Sequence, residues 1–229
     1  MQVNVQDLTV PEVYEDIGKN LLNILHNSDD DDVDDNTPVL CDSLYYTETD
    51  FVECMNKENI QNDLNITVIT LNVANLLSKL RVFRLFISNI TTPKNRPDII
   101  IVVETHITES TNHGYTESEL KHILPEYSFF HRGRTSKKGG GVGVFVSDRL
   151  SSEVEILELV KFQDEQFENL VVNIPNIFKD NRKNSHKNLV IAAIYRQPNN
   201  SNLDTFTEEL EKLLKQIGKR KNEIVSIFP

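Results

Sequence analysis

Apolar and polar positions fall into two patterns along this chain: short unbroken β-branched runs, and longer stretches with helical spacing. Leu64–Val73 (LNITVITLNV) is β-branched and apolar and predicts a strand. Leu76, Leu80, Phe83, Ile87 and Ile90 then recur at helical spacing, which predicts a helix from about Asn75 to Ile90. Pro97 and Asp98 lead into Ile99–Val103, a run so uniformly apolar that it suits a strand covered on both faces. Strand, helix and strand in that order predict a layered α/β domain. The later half is richer in strands. Gly139, Gly140 and Gly141 precede the run Val142–Val146, Phe167–Ile174 alternates in part, and Leu189–Ile194 is another buried run. Leu203, Phe206, Leu210, Leu213, Leu214 and Ile217 mark a helix that Ser201 or Asn202 can cap and Gly218 can end. Glu223–Phe228 predicts one more strand.

The first forty residues carry a different pattern. Thr9 and Glu12 have capping-box spacing with Pro11 in the first turn, and Val13, Ile17, Leu21, Ile24 and Leu25 follow at helical spacing. This predicts a short amphipathic helix from about Val10 to His26. Asp29–Asp35 holds six aspartates interrupted by Val33. Charges at that density repel, and the segment has little apolar area to bury, so a solvated linker is expected. The run lacks the Gly and the closing Glu of a calcium loop. The expected organisation is an acidic N-terminal segment, residues 1–40, followed by a folded domain, residues 41–229. The charge divides in the same way. Residues 1–62 hold 15 acidic and 2 basic side chains, a balance of −13, whereas residues 63–229 hold 20 acidic and 22 basic, a balance of +2. The net charge of −11 therefore says little about whether the folded region meets nucleic acid. No apolar stretch reaches the ~18 residues of a membrane helix, and Met1–Val10 has neither the basic flank nor the apolar run of a secretory signal. Two cysteines, Cys41 and Cys54, provide no disulfide framework and fit a reducing compartment, so an intracellular location, nuclear or cytoplasmic, is expected. No Cys/His cluster has zinc-ligand spacing, and nothing in the sequence assigns an oligomeric state.

Candidate chemistry sits where apolar strands end. Asn72 ends the first, Glu104 ends the second in IIIVVETHI, and Tyr195 and Arg196 end a third in IAAIYRQP. Ligand groups in layered α/β proteins project from strand ends. A carboxylate beside a buried run is costly to desolvate unless it is paired or metal-bound. Magnesium takes oxygen ligands and keeps waters, so one or two carboxylates with a substrate phosphate suffice. The plainer readings are an exposed strand cap for Glu104, a turn residue for Asn72 and a rim tyrosine for Tyr195.

The order of the motifs adds to this. LYYTETDF, LNITVITLNVANL, RPDIIIVVETHI, FFHRGRTSKKGGGVGVFV, FENLVVNI and IAAIYRQPNNSNLDTFTEELEKLL succeed one another from about Leu44 onwards. In that order they resemble the endonuclease/exonuclease/phosphatase superfamily, and within it the endonuclease domain of non-LTR retrotransposons of the jockey type. The resemblance implies a partial four-layer α/β sandwich and a magnesium-dependent endonuclease (Mg2+, with Mn2+ possible in its place) that nicks target DNA. It makes Glu104 the principal metal ligand, with Asn72 helping to arrange the metal site. Tyr195 would orient the scissile phosphate, with Asn199 assisting near that strand end. Arg132, Arg134, Lys137, Lys138 and Arg196 become candidate contacts to the DNA backbone, where phosphate contacts fix a protein's register on the duplex. Their plainer reading is a solvated basic hairpin. A phosphatase acting on inositol phosphates or lipids shares the superfamily, but the GGGV and YRQP texts favour the retrotransposon branch.

The chain also departs from the family pattern. Ala74 and Asn75 stand where the family has Arg and Ser, His106 where it has Trp, and Gln197 where it has Pro. Where the family places GDFN after the last helix, this chain reads Ser226, Ile227, Phe228 and Pro229, and a later Ser-Asp-His is not present. The expectation from the resemblance is a C-terminally truncated domain, inactive as this chain, with strand edges left unpaired. The alternative is a non-catalytic mobile-element remnant, or an interaction protein that uses the acidic N-terminal segment.

Overall fold

The computed structural model describes residues 66–91, 96–107, 115–133, 139–150, 153–159, 167–180, 185–196, 203–219 and 223–228; for residues 178–180, 185 and 223–228 only the backbone is described. The expected helix at 10–26, the acidic run Asp29–Asp35, the LYYTETDF segment and the caps Ser201 and Asn202 lie outside these residues.

The first sheet begins with the strand–helix–strand unit that periodicity predicts. Strand β1 (Val68–Asn72) runs parallel to β2 (Ile99–Val103), with Val68 opposite Ile99 and Asn72 opposite Val103. Helix α1 (Leu80–Ile90) makes the crossover. A short helix α2 (Glu117–Lys121) leads to β3 (Tyr127–Arg132), which pairs antiparallel with β4 (Val142–Ser147), and β4 pairs antiparallel with β2. The strand order is β1-β2-β4-β3. The second sheet holds β5 (Glu155–Ile156), β6 (Phe167–Asp180), β7 (Ser185–Arg196) and β8 (Glu223–Phe228), in that order. Strands β7 and β8 are parallel, with helix α3 (Leu203–Gly218) as their crossover.

Alternation along the strands builds the layers. Every residue of β2 is buried, as its unbroken apolar run requires. Ile100 and Val102 pack with Leu80, Phe83, Ile87 and Ile90 of α1, and with Phe129 and Phe145. Ile99 and Ile101 face the other way, with Val142, Val144 and Val146, onto Leu170, Val172, Ile174, Leu189, Ile191 and Ala193 of the second sheet. The outer side of the second sheet carries Phe167, whose ring meets Phe206 of α3 at 5.1 Å, and α3 buries Leu210, Leu213, Leu214 and Ile217. The result is an α/β fold of four layers, helix, sheet, sheet and helix.

Several elements differ from the periodicity reading. Helix α1 starts at Leu80 and not near Asn75. Ala74 and Asn75 adopt positive φ (42° and 82°), and the N–H groups of Asn75 and Leu76 donate to the carbonyls of Glu104 and Thr105 at 2.7 and 3.0 Å. The chain there is committed to the exit of β2, so helical hydrogen bonding begins a turn later. Strand β6 continues past Ile174 to Asp180 through an irregularity at Ile174/Phe178, where Asn176 has φ 60°. Strand β3 and helix α2 were not anticipated, although Thr116 and Glu119 form a complete capping box at the start of α2.

The N-terminal end of β2 is locked by polar groups. Asp98 is fully buried; its Oδ2 accepts the Thr67 N–H at 2.8 Å, while the Arg149 guanidinium forms an ion pair with Oδ1. Burial pushes the Asp98 carboxyl up, against the opposing pull of the Thr67 N–H and of Arg149. Beside it the Tyr127 hydroxyl donates to the Pro97 carbonyl at 2.6 Å, and Arg96 stacks 4.7 Å over the Tyr127 ring.

Candidate active site

The carboxyl ends of β1 and β2 lie side by side because the two strands are parallel and in register, Asn72 against Val103. The residue after Val103 is Glu104. Four non-glycine residues with positive φ cluster here: Ala74, Asn75, Glu104 (56°) and His106 (56°). Such conformations cost of order 1–3 kcal/mol each and persist where the surroundings over-determine them. The surroundings do so. The carbonyl of Glu104 accepts from Asn75, and the N–H groups of Thr105 and His106 donate to the carbonyls of Gly141 and Gly140 at 3.2 and 2.8 Å. The exit of β2 is thus bonded on one side to the β1–α1 loop and on the other to the glycine turn before β4.

This backbone presents the Glu104 carboxylate, with 27% of the side chain exposed, toward the second sheet. The hydroxyl of Tyr195, near the end of β7 and 91 residues away in sequence, donates to Glu104 Oε1. His106 Nε2 lies 3.8 Å from Glu104 Oε2. Tyr195 occupies the inner face of its sheet, packed against the core between the sheets, so its ring anchors a hydroxyl that fixes the rotation of the carboxylate. Asn72 is exposed, and its Oδ1 accepts the Ala74 N–H at 3.1 Å. It shapes the loop beside Glu104 and makes no described bond to the carboxylate itself.

Glu168 was not singled out from the sequence. It stands on β6 opposite Tyr195, is 8% exposed, and accepts the Gly141 N–H through Oε2. The signal was present in FENLVVNI, where an acid opens an otherwise buried run, but its partner is a backbone group that no side-chain pattern reveals.

The basic candidates divide. Arg132 Nη1 donates to the carbonyl and Oδ1 of Asn169 at 3.3 and 3.2 Å, and Nη2 to the Glu158 carboxylate at 3.0 and 2.9 Å. A DNA phosphate at Arg132 would compete with Glu158. Arg196 follows Tyr195 and so faces the opposite side of the sheet, its guanidinium 5.8 Å from the Phe206 ring centroid. Asn199, Arg134, Lys137 and Lys138 lie outside the described residues.

The donor set fits a hard divalent cation. A partly exposed carboxylate held by a tyrosine hydroxyl offers oxygen donors, and magnesium needs only one or two such groups. The described residues hold no cluster of three or more His, Cys, Asp or Glu side chains, so they form no closed all-protein cage. Among these residues no helix is long and apolar enough to cross a membrane.

No family model matches the chain, and no curated protein matches it. Among solved structures it is similar to a 3′ phosphatase from Neisseria bound to product DNA hairpin, at 12% identity and TM-score 0.41, covering 71% of this chain and 57% of that one. It is also similar to an AP endonuclease from Leishmania major, at 17% identity and TM-score 0.41, covering 84% and 55%. A third is a mannosyl-6-phosphatase from Bacteroides thetaiotaomicron, at 16% identity and TM-score 0.44, covering 71% and 64%. The chain spans less than two thirds of each of these proteins.

Proposed function

We propose that this domain carries a divalent-metal site for phosphodiester hydrolysis, with DNA as substrate, of the lineage that its motifs resemble in non-LTR retrotransposons. The observation that carries the reading is Glu104: a carboxylate at the exit of a fully buried parallel strand, held in place by a tyrosine hydroxyl from the facing sheet. A carboxylate beside a buried run is costly to desolvate unless it is paired or metal-bound.

Glu104 would hold Mg2+ or Mn2+, with Asn72 shaping the loop beside it. A divalent cation held there would supply stabilisation of the charge that develops on a phosphate oxygen. Tyr195 keeps the Glu104 carboxylate in one rotation and presents its hydroxyl oxygen on the same side. His106, beside Oε2, adds a nitrogen next to the carboxylate. The basic stretch that includes Arg134, Lys137 and Lys138 would meet the DNA backbone, and a nuclear or cytoplasmic location would suit that substrate.

The test is Mn2+ binding to the full chain, followed by nicking of supercoiled plasmid with Mg2+ or Mn2+. Binding that is lost in Glu104→Gln is the expected result, and any nicking should depend on the same residue. Mn2+ affinity that survives Glu104→Gln unchanged would refute the reading. Binding without nicking would favour the non-catalytic alternative.

A further inference from the structure

Gly139, Gly140 and Gly141 all adopt positive φ, at 90°, 68° and 90°. Glycine reaches this conformation without steric cost but brings no side chain to hold it, so backbone bonds must fix the turn. Two of them go to the exit of β2, where the carbonyls of Gly140 and Gly141 accept from His106 and Thr105. A third comes from the other sheet, where the Gly141 N–H donates to Glu168 Oε2. The fit at Gly141 is tight: a Cβ there would lie 2.3 Å from Thr105 Oγ1.

Glu168 is an unusual residue for its place. Strand β6 turns Leu170, Val172 and Ile174 into the core between the sheets, and alternation puts Glu168 on that same face at the strand's entry. A carboxylate so deeply buried is costly unless charge-assisted hydrogen bonds offset its desolvation. It also stands across the ladder from Tyr195, the residue that holds Glu104. Two neighbouring side chains of the second sheet therefore reach the same strand exit of the first, Tyr195 through the Glu104 carboxylate and Glu168 through the glycine turn that brackets Thr105 and His106.

We propose that Glu168 is a positioning residue for the Glu104 site: its carboxylate pins the glycine turn across the two sheets, and the pinned turn sets the backbone on which Glu104 points at Tyr195. The proposal rests on the metal-site reading above. Glu168 itself need touch neither cation nor substrate. Partners one step removed from a metal ligand commonly decide whether that ligand is aimed correctly.

The experiment uses the full chain with Mn2+ alone as probe. Glu168→Leu removes the acceptor and keeps the bulk, and Glu168→Gln keeps an oxygen acceptor without the charge. With the urea midpoint retained, Glu168→Leu should weaken Mn2+ binding by about 10–100-fold, the usual effect of losing such a partner, and Glu168→Gln should fall between it and the wild type. Amide exchange at Gly141 should speed up in Glu168→Leu. If that variant does not fold, Glu168→Gln still reads the bond, because the Gly141 amide-proton resonance must move when its acceptor loses charge. Unchanged Mn2+ affinity in a folded Glu168→Leu, or a Gly141 amide indifferent to Glu168→Gln, overturns the proposal. A wild-type chain that binds no Mn2+, or binding that survives Glu104→Gln, sinks the metal-site reading instead, and the Gly141 amide then reports on the clamp by itself.

Discussion

Among the described residues, the hydroxyl of Tyr195 donates to the Glu104 carboxylate and fixes its rotation. Tyr195→Phe removes that donor and leaves the ring in the core between the sheets. We expect Mn2+ affinity to fall by about tenfold or more with little change in the urea midpoint, as measured by parallel metal titration and denaturation. Glycines give the matching structural test. Gly141→Ala places a Cβ 2.3 Å from Thr105 Oγ1 at φ +90° and should cost about 1–3 kcal/mol of stability. Gly218→Ala meets nothing within 4 Å at the end of α3 and should be neutral or stabilising by up to about 1 kcal/mol. Comparison of the two urea midpoints checks both. Glu104 and Tyr195 were legible in the sequence because a polar residue next to an unbroken apolar run stands out. Glu168 was not, because its use is a bond to a backbone N–H from another sheet.

Helix α1 was legible as an element because Leu80, Phe83, Ile87 and Ile90 repeat at the period of a helix and bury one face. Its first turn was not, since the strain at Ala74 and Asn75 exists only because β2 exits beside them. Phe83 meets Phe145 at 5.5 Å, and Phe145 stacks on Phe129 at 4.2 Å, so one helix residue ties two strands. Phe83→Ala should cost about 3–5 kcal/mol, read from chemical denaturation. Strand β3 contributes His131, which stacks on Phe129 and lies 3.6 Å from Glu117. Burial holds its imidazole below the ordinary range, and the Glu117 charge opposes the shift. The folded chain then binds this proton more weakly than the unfolded one. Stability from a neutral His131 is present above about pH 6.5, the ordinary value, and is lost as the pH falls through the lowered one. An NMR titration should place the His131 midpoint below that of a model imidazole, and Glu117→Gln should lower it further.

Across the whole molecule the two ends of β2 do different work. The carboxyl end opens onto Glu104, whereas the amino end closes on Asp98, Thr67, Arg149 and Tyr127. The Asp98 carboxyl is raised by burial, so the folded state holds its proton more tightly than the unfolded state. Its favourable share of stability is present below the ordinary carboxyl value, about 3.9, and is lost as the pH rises through the raised one. Asp98→Asn cannot ionise and should gain on the wild type as the pH goes from acid to neutral, which paired urea midpoints would show. By itself the sequence determined most of the strands and the two longer helices, that β2 is covered on both faces, and that a carboxylate stands at its end. Periodicity encodes which face of an element is buried, and that is a local property. Only the tertiary structure decided that Tyr195 reaches Glu104, that Glu168 holds Gly141, and that Arg132 turns to Asn169 and Glu158. Those bonds join residues 26 to 91 positions apart, and their geometry comes from how the two sheets pack face to face.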